Sequence, residues 1–125
     1  MVLSRQRGGQ DYFFYDKPVV ALCDAGSFSA TDGFLSALAD LPQVVLVGGP
    51  SSGGSGAVRR FQLRNSGTVV MLSTMASFRP NGKLFDGYGV EVDVEIKPKI
   101  GDYLTDSDSV LDRAVQILNE KTDAN

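Results

Sequence analysis

Histidine is absent from all 125 residues of the chain, and cysteine occurs once. Without an imidazole, no Ser-His pair, Cys-His pair or histidine metal site can be assembled from this polypeptide alone. The single Cys23 falls inside an apolar run and reads as a core residue, so no internal disulfide forms and the redox compartment is left open. No apolar run exceeds about six residues, far below the roughly 20 that a membrane-spanning helix requires. Basic stripes are missing as well: Arg59-Arg60 is only a pair and the formal net charge is -3, a balance that gives nucleic acid nothing to hold. Arg5 and Arg7 precede no apolar segment, so the N-terminus does not read as a secretory signal. Internal repeats and low-complexity linkers are also lacking.

What is present has the make-up of an ordinary soluble globular domain, 42% hydrophobic and 22% charged, and is long enough to bury roughly two thirds of its unfolded surface in one core. The chain is organised around the stretch from Asp24 to Gly56. An apolar run, Val19 to Cys23, enters it after Pro18 and is apolar on both faces, as a parallel strand covered by helices would be. The hydroxyl-rich turn Gly26-Ser27-Phe28-Ser29-Ala30-Thr31-Asp32 follows, and then Phe34, Leu35, Leu38 and Leu41 recur along one helical face until Asp40 and Pro42. A second apolar run, Val44 to Val47, leads into the glycine and serine loop Gly48 to Gly56. Strand, helix and strand in about 30 residues predict a right-handed βαβ unit.

The flanks carry different patterns. Residues 1–16 read as a polar and aromatic lead-in whose cluster Tyr12-Phe13-Phe14-Tyr15 packs on something. Arg60, Gln62 and Arg64 alternate with Phe61 and Leu63, and Asn65-Ser66-Gly67 turns the chain into Thr68 to Leu72, which predicts a hairpin. Val90, Val92, Val94 and Ile96 alternate with Glu91, Asp93 and Glu95 and predict a strand with one wet face. A closing helix is expected over residues 106–120, with Val110, Leu111, Ala114, Val115 and Leu118 as its buried stripe and residues 122–125 as a fraying tail.

Ser29 stands where a strand turns into a helix, a position whose unpaired N–H groups and positive dipole end favour a negatively charged oxygen. It is either a helix cap or a nucleophile. On the residues alone the cap is the commoner outcome, with Asp32 completing a capping box and Ser27 or Thr31 as rival caps. The loop from Gly48 to Gly56 invites phosphate binding but lacks the Lys-Ser or Lys-Thr and the helix that a P-loop needs. Asp40 is eleven positions after Ser29 on the same helix, roughly 16 Å away by helical rise, so the two cannot share a hydrogen bond. Asp86 lies in the glycine-flanked turn Leu84-Phe85-Asp86-Gly87-Tyr88-Gly89 and reaches the helix start only through tertiary folding. Lys83 is near that turn, but nothing local desolvates it into a neutral base.

Taken in order, these pieces resemble the core of the carboxy-terminal processing (tail-specific) serine peptidases over about Lys17 to Lys97. The matching features are Lys17-Pro18 before a strand, Ser27-Phe28-Ser29-Ala30-Thr31-Asp32, Val47-Gly48-Gly49-Pro50-Ser51-Ser52-Gly53, Pro80-Asn81-Gly82 and Gly87-Tyr88-Gly89-Val90-Glu91-Val92-Asp93. The resemblance implies a Clp-protease/crotonase-like α/β core of ββα units, of which residues 17–121 form the C-terminal part, and it implies that Ser29 is the nucleophile. Relatives with a Ser-Lys dyad carry lysine where this chain has Gly54, which points to the tricorn-type branch, in which an upstream histidine is the base and an acidic residue completes the site. The acidic position matches Asp86, where relatives tend to have glutamate, and Val92 replaces a usual proline.

In that scheme the Ala30 N–H donates to the oxyanion, while the histidine and a second donor lie upstream of Met1. The chain is then expected to be a serine endopeptidase fragment that acts on polypeptides, inactive by itself, with no cofactor or metal and with the upstream segment of its parent as partner. An oligomer is compatible with this reading. The resemblance further implies an exported or cell-envelope parent. The competing readings are a non-catalytic module of the same fold that binds peptides or hydrophobic ligands, and an oligomer assembly domain.

Overall fold

A computed structural model of the chain describes residues 15–123. In chain order its elements are β1 (Val19–Cys23), α1 (Ala30–Leu38), β2 (Val44–Gly48), β3 (Val58–Gln62), β4 (Val69–Ser73), β5 (Val94–Glu95) and α2 (Ser109–Asp123), with a 3-10 turn at Ile100–Tyr103. β1, β2 and β5 form a three-stranded sheet in that spatial order, and β3 and β4 form a separate antiparallel pair. The valine-rich runs favour strands because β-branched side chains fit a pleated surface better than a helix.

β1 and β2 are parallel, from Val19 opposite Val44 to Cys23 opposite Gly48, as the βαβ pattern predicts. That register puts Ala21 and Cys23 on the same face as Val44 and Leu46, where Leu35 of α1 closes a core with Phe85 and Val90. Leu46 is 0% exposed at its centre. The opposite face carries Val47 and is packed by α2, which buries Ala114 and Ile117. Helices thus cover the sheet on both sides, which is why neither strand alternates polar with apolar residues.

Two elements differ from expectation. Only Val94 and Glu95 of the 90–96 stretch pair as a strand, opposite Val47 and Gly48. One step earlier, the Leu46 N–H donates to the Asp93 side chain at 2.8 Å while the Asp93 N–H donates to the Leu46 carbonyl at 2.9 Å. The carboxylate takes the place of a main-chain acceptor and interrupts the ladder. The alternation in burial survives: Val90 is buried, Val92, Val94 and Ile96 are half-buried, and Glu91, Asp93 and Glu95 are exposed. In α2, Leu111 and Val115 are 48% and 47% exposed, whereas Ile117, outside the predicted stripe, is buried. The inward face is therefore Val110, Ala114, Ile117 and Leu118, rotated from the predicted one. α2 also runs through Asp123, beyond the expected end at Glu120.

The hairpin projects from this core. β3 and β4 pair from Val58 opposite Ser73 to Gln62 opposite Val69, so Leu63 and Arg64 belong to the connection rather than to the predicted strand. Gly67 turns the chain with φ 70 and donates to the Leu63 carbonyl at 2.9 Å. Nearly every hairpin residue is exposed on both faces, and the Arg59 guanidinium stacks 5.7 Å from the centre of the Phe61 ring. Tyr12, Phe13 and Phe14 of the aromatic lead-in, like Ala124 and Asn125, lie outside the described residues.

Candidate active site

The site is built where β1 gives way to α1. After Cys23 the chain makes a tight turn in which the Gly26 N–H donates to the Asp24 carboxylate at 2.8 Å and the Ser27 N–H to the Asp24 carbonyl at 2.9 Å. The Ser27 hydroxyl accepts from the Asp24 N–H at 3.3 Å, so it closes this turn and does not cap α1. Ser29 comes next and is exposed. Its backbone has φ 62 and ψ -117, and among the described residues it alone has a positive φ without being glycine.

That conformation answers the choice between cap and free hydroxyl. A capping serine normally has an extended backbone, from which its oxygen reaches the first-turn N–H groups. Ser29 is turned the other way and makes no side-chain cap bond. Its carbonyl accepts from the N–H groups of Asp32 at 3.0 Å and Gly33 at 3.4 Å, and Phe28 accepts from Thr31 at 3.2 Å. The Ala30 N–H has no acceptor among the described residues.

The capping-box role of Asp32 is likewise replaced by another. Asp32 is 0% exposed, and its side chain is held by the glycine and serine loop. There it accepts from the Ser51 hydroxyl at 2.6 Å, the Gly53 N–H at 2.8 Å and the Gly54 N–H at 3.0 Å. The loop amides that suggested an anion site thus already hold an anion of this chain, which explains a glycine-rich loop without phosphate. Ser51 in turn accepts from the Val90 N–H at 2.8 Å, and the Ser52 N–H donates to the Ser27 carbonyl at 2.8 Å. Gly53 has φ 74, and a Cβ there would overlap the backbone of Gly89 and Tyr88. The hub residue Ser51 lies in one of the matching motifs, but the sequence assigns it no role, since that pattern does not reveal which carboxylate it meets.

Asp86 reaches the same loop: the Ser55 hydroxyl donates to its carboxylate at 3.3 Å. Asp40 does not belong to the site and pairs with Arg79 at 2.9 Å. Lys83 is also engaged elsewhere, at 2.6 Å from Glu91. Gly54 faces the Phe28 ring, so a side chain at that position would require the ring to swing aside. Cys23 is buried, and burial first, then the charges of Asp24 and Asp93, push its thiol above the ordinary range, the reverse of an activated thiolate. A cleft of about 300 Å³ at the C-terminal ends of the strands is lined by Leu22, Asp24, Ser27, Gly49 and Val110 and borders the turn two residues before Ser29. Among the described residues no cluster of three histidine, cysteine or acidic side chains could hold a metal ion.

The chain belongs to peptidase family S41, whose profile it matches over residues 2–96. A protein from Parabacteroides merdae ATCC 43184 superposes with a TM-score of 0.75 at 28% identity over 83% of this chain and 32% of its own. Tricorn protease superposes with a TM-score of 0.66 at 26% identity, over 84% of this chain and 10% of tricorn. Mature CPAF in complex with lactacystin gives 0.57 at 29% identity, over 65% of this chain and 16% of CPAF. The chain therefore spans about a third of the first of these proteins and less of the other two. A comparison with curated proteins gives no match. The α/β core expected from the resemblance is the fold these likenesses share.

Proposed function

We propose that this chain is the nucleophile-bearing part of a serine endopeptidase core and that Ser29 attacks the peptide carbonyl. The observation that carries the reading is the Ser29 backbone. An exposed serine at a helix start, held at φ 62 and making no cap bond, keeps its oxygen available where a capping serine would have used it. Attack by Oγ places negative charge on the carbonyl oxygen, and the unengaged Ala30 N–H at the positive end of α1 is suited to receive it. The proton lost from Oγ goes to a base and then to the leaving amine, and water resolves the acyl-enzyme.

A histidine base is not in this chain. Gly54 stands where Ser-Lys relatives carry lysine, which favours a Ser-His-acid site over a Ser-Lys dyad. Asp86, tied to the loop through Ser55, is the candidate acid, and a histidine from an upstream segment of the parent completes the set. Extended polypeptide substrates fit this assignment through strand addition. The absence of histidine also favours the second reading, a non-catalytic module that binds peptides or hydrophobic ligands.

The test is reaction of the histidine-bearing parent with a fluorophosphonate probe. Labelling at Ser29, abolished in Ser29→Ala together with a roughly 10⁴- to 10⁶-fold fall in kcat, is the expected result. A folded parent whose Ser29 stays unlabelled would favour the binding module. The 125-residue chain alone is expected to leave a fluorogenic peptide uncut; turnover lost in Ser29→Ala would contradict the need for an outside base.

A further inference from the structure

We propose that Asp32 is a positioning residue: its buried carboxylate, gripped by the glycine and serine loop, holds Ser29 in its positive-φ backbone conformation. The inference rests on the nucleophile assignment for its bearing on catalysis, but the mechanical claim stands on geometry alone. Residues with a side chain rarely occupy φ 62, and Ser29 gains no cap bond to offset the strain. Something beyond the residue must hold it there.

The turn is pinned on both sides. Before Ser29, the Ser27 carbonyl accepts from the Ser52 N–H at 2.8 Å. After it, Asp32 takes three donors from Ser51, Gly53 and Gly54 at 2.6 to 3.0 Å. A carboxylate that is 0% exposed is costly to bury unless its lone pairs are met, and bonds from N–H and O–H donors to a charged acceptor are the strong kind. Ser51 extends the frame by accepting from Val90, whose N–H is itself buried. The loop is thus fixed to the sheet side of the molecule, the first turn of α1 is fixed to the loop, and Ser29 is left the one residue between two anchors that must bend.

Asparagine is the right probe for the clamp. It matches aspartate in shape, but its amide nitrogen would confront a donor, either the Ser51 hydroxyl or a loop N–H. Thermal unfolding of the 125-residue chain is measured for wild type, Ser29→Gly, Asp32→Asn and the double variant. Glycine tolerates φ 62, so Ser29→Gly should raise Tm by roughly 3–6 °C in the intact clamp. With Asp32→Asn the turn is free to relax, and the same substitution should then shift Tm by less than about 1 °C. An equal gain in both backgrounds would overturn the proposal, because the strain would then be held without Asp32. Should Asp32→Asn not fold, the cycle is run on Ser51: Ser51→Thr keeps the hydroxyl and should keep the glycine gain, whereas Ser51→Ala should lose it.

A second arm measures the consequence for reactivity. In the histidine-bearing parent, Asp32→Asn and Ser51→Ala should slow fluorophosphonate labelling of Ser29 by about tenfold or more, with Ser51→Thr restoring it. Unchanged labelling in a folded Asp32→Asn parent would refute positioning. A wild-type parent that never labels would instead count against the peptidase reading, while the Tm cycle still decides the clamp.

Discussion

At Ser29, helix propensity and hydrogen-bond demand are both overruled by residues about twenty positions further along the chain. The local sequence offers a good cap, yet the oxygen is left unused because Asp32 is drawn into the loop and the backbone before it must turn. Cys23 shows the opposite case, a reactive type made inert by its surroundings. Its raised thiol pKa and burial predict that iodoacetamide near pH 8 alkylates it at least ~10-fold more slowly in the folded chain than in denaturant, read by mass spectrometry. Fast labelling of folded protein would place Cys23 outside the core. That Ser29 stands where a strand turns into a helix was legible in the sequence, because the apolar periods on either side of it mark the junction. The Ser29 backbone angle and the Asp32 partners were not, since both depend on contacts that no local pattern encodes.

Among the elements, the βαβ unit was readable because one period governs each run, whereas the edges of the sheet and the last helix were less so. A helical stripe can be rotated by one position without changing its composition, which is how Ile117 was missed. Ile117→Ala should therefore cost about 2–4 kcal/mol in chemical denaturation, while Leu111→Ala on the exposed side should stay within about 0.5 kcal/mol. The reverse order would restore the predicted stripe. At the approach to α2, Asp102 accepts from the Lys99 N–H at 2.8 Å and from the hydroxyls of Ser109 and Ser107 at 2.5 and 3.2 Å. These bonds, Ser109 foremost, hold its carboxyl below the ordinary value of 3.8. The sign follows: the stabilisation is complete above about pH 4 and is lost as pH falls through the depressed folded value. The protection of the 3-10 turn amides, taken as the observed exchange relative to the intrinsic rate at each pH, should fall below about pH 4 in wild type, and Asp102→Asn should remove that fall. A wild-type profile identical to the variant would refute the assignment.

For the molecule as a whole, stability is unevenly spread. Leu46 and Val47 lie between two helical layers, while the β3–β4 hairpin has solvent on both faces. Hydrogen exchange should show β2 amides opening only with global unfolding and hairpin amides exchanging orders of magnitude faster. Comparable protection in the two would mean that the hairpin is covered in solution. The clamp around Ser29 also has a timetable written into its sequence separations. Asp32 and Ser51 are 19 positions apart, but Ser51 and Val90 are 39 apart. As the chain emerges from the ribosome, the first junction can close while the later segment is still inside the exit tunnel, and the second has to wait for it. Of the two loops, the one closed by Asp32 and Ser51 is the shorter and costs less chain entropy to close.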